Sequence, residues 1–238
     1  MGLGIKTALL RPLEPLWLYR LPGFRLKYLR DASQYGEGLL LNRYAPPDCP
    51  QFIVDVGAND GLLHSNSYFF VQRGWKAILV EPHPVVFRRL TERYAKEPNV
   101  ICENLACSNV AGNQELFYGA DGEAAEFSTL CQDDTDHYQQ TRTKASTKVS
   151  VKTLTEILER NQCPGDFGIL SIDTEGLDYE ILQGLDFSRF RPRLIITEDF
   201  KLIEKDRLKY ALLRANGYVL VKQRQVNSIW VCRPGAKG

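Results

Sequence analysis

Short, continuous apolar runs recur between residues 52 and 232, and polar or amphipathic segments separate them. Such runs, bounded by turn signals, are typical of strands that are buried on both faces of a parallel sheet. The strands predicted in this way are 52–56, 77–80, 100–103, 167–172, 193–197, 218–222 and 228–232. Segments with helical patterns lie between several of them, at about 65–73, 84–94, 155–161 and 203–215. This alternation predicts an α/β fold built from βαβ units.

Residues 114–152 depart from the alternation. Two strand-like pieces, Glu115–Tyr118 and Lys148–Lys152, flank a polar segment without a helical period. A long loop inside a compact domain is often a lid or a binding loop. We therefore predict an inserted β-hairpin that forms a lid over a binding site, with a long loop at 131–147 that contains His137 as one candidate base.

The first 50 residues predict an N-terminal extension and linker, ahead of a main domain at 51–238. Residues 1–30 hold six basic side chains and one acidic one, with apolar residues between them. A basic amphipathic segment of this kind favours peripheral contact with an anionic membrane surface, for which a location at the inner face of a membrane is expected. The alternative is an extension that folds over the sheet, with prolines that break any long helix.

Net charge and cysteine content narrow the class of protein. The formal net charge is +1, whereas nucleic-acid binding normally shows as a strong basic excess, so no nucleic-acid partner is expected. The six cysteines form no Cys-x-x-Cys pair, which excludes common zinc spacings and indicates a reducing compartment such as the cytoplasm.

A glycine turn follows the first predicted strand, where an open α/β sheet binds nucleotide-like cofactors. Its sequence is Asp55-Val-Gly57-Ala-Asn59-Asp60-Gly61. A dinucleotide fingerprint that began at Gly57 would need glycines at positions 59 and 62, which hold Asn59 and Leu62. The spacing Asp-x-Gly-x-x-x-Gly instead resembles motif I of the class I S-adenosylmethionine methyltransferases. Asp55, Gly57, Asn59, Asp60 and Gly61 are thus candidate cofactor-binding residues, and an ordinary Asn-Asp-Gly turn is the alternative.

Further cofactor contacts are predicted at the ends of the next two strands. Glu81 ends the second strand, 24 residues after Gly57, where a carboxylate binds the ribose hydroxyls in related folds. It is also placed to act only as a charge at a helix N-terminus. Asn104, Leu105 and Ala106 follow the third strand, where methyltransferases usually bind adenine.

Between residues 52 and 232, several short motifs follow one another in a set order and make the resemblance to methyltransferases more specific. They are Asp55–Gly61, Ser65–Ser67, Gly74-Trp75, Glu81-Pro82, Ala106–Ser108, Ser128–Leu130, Ser171–Asp178 and Arg191-Pro192 through Glu198. This set resembles the FkbM family of methyltransferases. The resemblance implies a Rossmann-like domain with a seven-stranded, mostly parallel sheet whose final strand is antiparallel. It also implies S-adenosyl-L-methionine as cofactor and a hydroxyl oxygen, often on a sugar or a polyketide, as acceptor.

Acids after the fourth strand are the catalytic candidates. An acceptor hydroxyl must lose its proton to a group within hydrogen-bond reach, and we take Asp173 as the first choice of base and Glu175 as the second. Helix capping is the alternative for Glu175 and Asp178. His64, directly after the glycine turn, is a further candidate base.

Metal assistance is an alternative mechanism. Glu198 and Asp199 end the fifth strand, beside the fourth, so that several carboxylates would share a Mg²⁺ with the acceptor oxygen.

The sequence thus predicts an O-methyltransferase whose acceptor is a sugar hydroxyl in a glycan, a glycolipid or a glycosylated natural product. A polyketide or other small-molecule hydroxyl is a second acceptor class. A non-catalytic binding protein that retains the fold is the rival interpretation.

Overall fold

The computed structural model describes residues 22–119, 128–130, 144–199 and 204–233. Most of the basic segment 1–30 and of the loop 131–147, with His137, lies outside these ranges. The predicted membrane contact and lid therefore stay predictions. None of the helices in the described ranges combines the length and apolarity needed to cross a bilayer.

The helices and strands alternate as the apolar pattern predicts. The helices are α1 (Pro22–Phe24, continued by a π-helical turn Arg25–Leu29), α2 (Glu37–Tyr44), α3 (Tyr68–Val71), α4 (Pro84–Tyr94), α5 (Leu154–Arg160), α6 (Asp178–Gln183) and α7 (Glu204–Ala215). The strands are β1 (Phe52–Val56), β2 (Lys76–Val80), β3 (Val100–Glu103), β4 (Ala106–Cys107), β5 (Gly112–Gly119), β6 (Ser128–Thr129), β7 (Lys144–Lys152), β8 (Ile169–Ile172), β9 (Leu194–Glu198), β10 (Tyr218–Arg224) and β11 (Asn227–Cys232).

Seven of these strands form the main sheet, in the order β10-β11-β9-β8-β1-β2-β3. All neighbours from β9 to β3 are parallel, and β11 runs antiparallel to both β9 and β10. This confirms the Rossmann-like fold with an antiparallel final strand. The order reverses between β1 and β8, which is where open α/β sheets bind their ligands.

The buried side chains alternate between the two faces of the sheet. Val54 and Val56 pack in one core cluster with α5, α6 and α7, whereas Ile53 packs in a second cluster with α2, α3 and α4. Asp55 shares the parity of Ile53, so its side chain faces α3. A single polar residue is thereby placed at the carboxyl end of an otherwise apolar strand.

The inserted segment is more than a hairpin. β5 and β7 pair antiparallel from Gly112↔Val151 to Gly119↔Lys144, as predicted. β4 and β6 add to the two sides and give a second sheet in the order β4-β7-β5-β6. Because β4 directly follows β3 in the chain, this small sheet is fixed next to the edge of the main sheet.

Residues 22–45 pack onto the catalytic core. Leu41 is fully buried in the second core cluster. Asn227 of β11 donates to the Glu37 carboxylate at 3.1 Å. Arg25, which the basic pattern placed on an exposed surface, is buried and donates to two backbone carbonyls. Residues 22–45 thus fold over the core, as the alternative interpretation expects for this part of the extension.

The predicted helix 65–73 is too long. The structure has only α3, Tyr68–Val71, and Ser65 accepts a hydrogen bond from the Tyr68 amide at 3.0 Å. Asn66 donates to Ser171 Oγ at 3.1 Å, across to β8. Side-chain hydrogen bonds of Ser and Asn compete with the helical pattern, and here they keep 65–67 out of the helix.

Candidate functional site

Three strand ends meet at the point where the sheet order reverses. Val56, the last residue of β1, pairs with Val80 of β2 and with Ile172 of β8. The amides of Gly57 and Ala58 both donate to Val80 O at 3.0 Å, and Asp173 N donates to Val56 O at 3.0 Å. The register therefore brings the glycine turn, Glu81 and Asp173 side by side.

Gly57 lies in close contact with the residue that follows β8. A Cβ atom at this position would lie 1.9 Å from the Asp173 carbonyl oxygen, and the backbone has φ of +87°. Neither the conformation nor the space suits a side chain. Glycine at 57 therefore sets the separation between the turn and the acids after β8.

Asp55 is buried beneath the turn, 3% exposed. Ser67 and Ser171 donate hydrogen bonds to its carboxylate, while burial raises its pKa above the ordinary value. Hydrogen bonds from hydroxyls offset part of the desolvation cost of such a carboxylate. Asp55 is thus a rigidly held acceptor.

Glu81 offers a second buried carboxylate on the other side of the turn. Its Oε2 accepts from Asn59 N at 3.1 Å and its Oε1 accepts from His83 N at 2.8 Å. Burial raises its pKa to about 7, and the two amide hydrogen bonds oppose that shift. Asn59 has φ of +51°, a conformation that Asn tolerates better than most residues, and this turns its amide toward Glu81.

A cleft of about 950 Å³, counting its open mouth, lies over these strand ends. The cleft is lined by Asp55–Asn59, Leu63–Asn66, Val80–Pro82, Leu105–Cys107, Leu116, Ser128, Leu130, Asp173–Glu175 and Leu177. The lining combines the carboxylates of Asp55, Glu81 and Asp173 with the buried apolar side chains of Leu105 and Ala106.

Three candidate cofactor residues lie outside this lining. Asp60 accepts from the amides of Leu62 and Leu63 and pairs with Arg93 at 2.9 Å. Gly61 packs against α4, where a Cβ would lie 2.4 Å from the Tyr94 ring.

The third is Asn104, whose amide donates to two backbone carbonyls. The contacts of all three residues are with the protein, and their direct role toward the cofactor stays a prediction.

Three acids form a cluster at the same end of the sheet, which we call the carboxylate cluster: Asp173, Glu175 and Glu198. One oxygen from each lies within 4.8 Å of the others. The side chains of Asp173 and Glu198 interact directly. Burial and the neighbouring carboxylates raise the pKa of both groups well above their ordinary values, so that this pair retains a proton at neutral pH.

Asp178 and Lys209 hold the backbone of Glu198. Asp178 Oδ2 accepts from Glu198 N at 2.8 Å, and Lys209 Nζ donates to Glu198 O. The pKa of Asp178 rises to about 6 because of burial, although Lys209 opposes the shift. Since Asp178 also accepts from Thr174 Oγ1, its two oxygens tie the loop after β8 to the end of β9. This is a wider role than the predicted alternative of a helix cap.

Asp199 lies away from the cluster. Its carboxylate pairs with Lys209 at 3.1 Å and accepts from Tyr210 and Ser228. The prediction that Asp199 joins Glu198 at a shared metal is therefore wrong. Glu198 and Asp199 are consecutive strand-end residues, and consecutive side chains point to opposite faces of a sheet.

His64 lies in the cleft wall and is exposed. Its backbone has φ of +55° and pairs with Ser33 of the N-terminal segment in an isolated bridge. The N-terminal segment thus reaches the rim of the cleft. The role of His64 as a base stays a prediction.

Sequence reasoning missed two groups of residues. Ser67 and Ser171 support Asp55, and the small sheet supplies Leu116, Ser128 and Leu130 to the cleft. The motif 128–130 was a signal for the second group, but no strand pattern showed which way it faces.

Comparisons with known proteins give one family match and several solved structures. A model of the methyltransferase FkbM domain matches residues 55–220. No curated protein matches the chain in sequence. Similar solved structures include a precorrin-6Y C5,15-methyltransferase from Geobacter metallireducens GS-15, with 12% identity, a TM-score of 0.46, and coverage of 87% of this chain and 93% of that chain. Fibrillarin from Aeropyrum pernix, solved with bound S-adenosyl-L-methionine, has 11% identity, a TM-score of 0.46, and coverage of 85% and 76%. These likenesses concern the fold only. The match over most of the chain shows that this protein belongs to the FkbM family of S-adenosylmethionine-dependent methyltransferases.

Proposed function

We propose that this methyltransferase acts on a hydroxyl oxygen, with a sugar of a glycan, a glycolipid or a glycosylated natural product as the acceptor. The observation that carries the proposal is the carboxylate cluster at the end of β8 and β9. It supplies a proton acceptor directly beside the turn that binds the methyl donor.

The residues on the donor side of the cleft bind and orient the methyl donor. When bound, S-adenosyl-L-methionine supplies an electrophilic methyl group. Glu81 is placed to accept hydrogen bonds from the ribose hydroxyls, and Asp55 is placed to accept, directly or through water, from the ammonium group. Both carboxylates are buried and held by hydrogen bonds, so little reorganisation is needed on binding.

Asp173 is the proton acceptor in this proposal. The Asp173–Glu198 pair holds one proton, with Glu198 as its carrier in this proposal, and the ionised form of Asp173 accepts the hydroxyl proton. Burial and the neighbouring acids raise the pKa of Asp173 toward neutral pH, which makes its ionised form a stronger proton acceptor than an ordinary carboxylate. As the acceptor oxygen forms its bond to carbon, its proton moves to Asp173.

The charge of the cleft favours a neutral acceptor. Its described lining contains Asp55, Glu81, Asp173 and Glu175, and neither Lys nor Arg is among the described lining residues. A phosphate or carboxylate on the acceptor would therefore meet repulsion at this wall. Sugar hydroxyls suit this cleft because they donate hydrogen bonds to carboxylates without adding negative charge.

Two measurements test the proposal. First, S-adenosyl-L-methionine and S-adenosylhomocysteine should each raise the melting temperature of the wild type, since a ligand at 100 times its Kd adds about 2.7 kcal/mol of stability. Second, labelled methyl donor with a panel of neutral glycans, lipid-linked sugars and glycosylated natural products should label one class.

Asp173→Asn should abolish turnover and leave the thermal shift with S-adenosylhomocysteine intact. Full activity in this variant would rule out Asp173 as the base. Labelling of amines or carbon acids alone would contradict hydroxyl transfer. A thermal shift without any turnover, across hydroxyl, amine and carbon acceptors, would favour the rival interpretation of a non-catalytic binding protein.

A divalent cation at the carboxylate cluster is a second candidate mechanism. Three carboxylate oxygens within 4.8 Å of one another match the ligand chemistry that Mg²⁺ prefers, and a cation would relieve their mutual repulsion. Activity that survives EDTA would exclude this mechanism. Activity that is lost in EDTA and restored by Mg²⁺ would show that a metal ion, and not a retained proton, offsets the charge of the cluster.

A further inference from the structure

The loop that carries Glu81 is held from outside the cleft. The Asn104 side-chain amide, just after β3, donates to Glu81 O at 2.9 Å and to Pro82 O at 3.1 Å. One side chain thus fixes two consecutive carbonyls. Asn104 is itself exposed and lies outside the cleft lining, so these contacts do not serve to fill the core.

His83 holds the same loop from its other end. Its backbone amide donates to Glu81 Oε1, and its Nδ1 accepts from Val85 N and Val86 N at 3.3 and 3.4 Å. This pattern caps the N-terminus of α4 and places the ring proton on Nε2. That nitrogen is buried and has no hydrogen-bond partner among the described residues.

The small sheet covers His83. The Tyr118 ring of β5 packs edge-to-face on the His83 ring, with centroids 4.3 Å apart and planes at 87°. An aromatic face is a weak acceptor for a buried N–H. The neighbouring residue in the sheet, Ser128, lines the cleft, so the small sheet closes the cleft behind Glu81.

We propose that Asn104 is a positioning residue for Glu81, which makes the 81–83 loop a preformed receptor for the ribose diol of the cofactor. This inference rests on the proposed donor site. It differs from a direct contact between Asn104 and adenine, because the amide nitrogen of Asn104 donates to two carbonyls of the loop. With the Glu81 backbone fixed at its carbonyl and its carboxylate fixed by two amides, the free lone pairs face the cleft.

Binding of two probes by the full-length protein tests the role without any knowledge of the acceptor. The probes are S-adenosylhomocysteine and its 2′,3′-dideoxy analogue, which lacks the diol, and calorimetry gives each Kd. We expect Asn104→Ala to weaken S-adenosylhomocysteine about tenfold, the scale of losing hydrogen bonds that orient a charged group. Binding of the dideoxy analogue should change less than about twofold.

Asn99→Ala is the matched control. Asn99 lies at the opposite end of β3, is exposed, and donates to a backbone carbonyl, Gly74 O, at 3.4 Å. The Asn99→Ala variant should leave the Kd values of both probes unchanged. Asn104→Asp is the second test variant, since it keeps the shape of Asn but sets a carboxylate against two carbonyl oxygens. Glu81→Gln combined with Asn104→Ala should bind no more weakly than Glu81→Gln alone, because the two residues act as one unit.

The outcomes separate the two hypotheses. If the wild type binds neither probe nor S-adenosyl-L-methionine, the proposed donor site fails and this inference fails with it. If the wild type binds, but both Asn104 variants weaken both probes equally or neither probe, the positioning role alone is overturned. A loss confined to the diol-bearing probe supports it.

Discussion

Gly57→Ala tests the closest backbone contact of the site. The added Cβ would lie 1.9 Å from the Asp173 carbonyl oxygen, whereas real Cβ atoms essentially never come within 3.0 Å of such an atom. The turn and the end of β8 would have to separate by about 1 Å. Because Asp173 N also donates to Val56 O, this separation strains the hydrogen bond that joins β8 to β1.

The magnitude has two parts. A non-glycine residue at φ of +87° costs about 1–2 kcal/mol. The backbone clash and the weakened hydrogen bond add about 2–3 kcal/mol, for a total of about 4 kcal/mol. Gly74→Ala isolates the first part, since Gly74 has φ of +81° but no atom of the described residues lies within 4 Å of its added Cβ.

Urea unfolding measures both variants against the wild type. We expect Gly74→Ala to lose about 1 kcal/mol and to keep S-adenosylhomocysteine binding, and Gly57→Ala to lose about 4 kcal/mol and most of its binding. Equal stability losses in the two variants, with binding retained in both, would refute the close contact as the reason for glycine at 57.

Three further predictions follow from buried charges. Lys209→Met should lower the free energy of unfolding by about 3–5 kcal/mol because it leaves buried carboxylates unpaired. Lys205→Met, one turn away on α7 and half-exposed, should cost less than about 1 kcal/mol in the same urea assay, and similar losses would contradict the argument. Without bound ligand, the free energy of unfolding should fall as the pH rises from 6 to 8. The expected slope is about 1.4 kcal/mol per pH unit for each proton that only the folded state retains. The sign follows from the raised pKa values of the Asp173–Glu198 pair, which holds a proton that the unfolded chain has already lost in that range. A rising profile at constant ionic strength would oppose it. Affinity for S-adenosylhomocysteine should decrease as pH falls below about 7, where Glu81 takes up a proton and can accept fewer hydrogen bonds from the ribose, and a flat calorimetric profile down to pH 5.5 would count against that role.

The sequence predicted most of the main sheet because its strands are buried on both faces and read as continuous apolar runs. Residues 100–103 match β3 to the residue, and 84–94 matches α4. In those segments local pattern and tertiary packing agree.

The misses lie where side chains bond across the chain. The sequence predicted that a helix begins at Ser65–Ser67. In the structure, Ser67 supports the Asp55 carboxylate and Asn66 donates a hydrogen bond to a side chain of β8. No sequence pattern indicated that the Asn104 amide donates to the loop after β2. The pairing of Asp173 with Glu198 depends on β8 and β9 being neighbours and on both strands ending at one level, which no single segment encodes.

The placement of β11 has a practical consequence for fragments of this protein. The family match ends at residue 220, before β11 begins, yet β11 separates β9 from β10 in the sheet and buries Trp230 completely. A fragment cut at 220 would expose the backbone edge of β9 and leave β10 without a neighbour, which invites pairing with other chains. A cut at residue 55 would also remove Leu41 and the first strand residues. A fragment that keeps the carboxylate cluster in its packed surroundings therefore needs α2 before the matched segment and β11 after it.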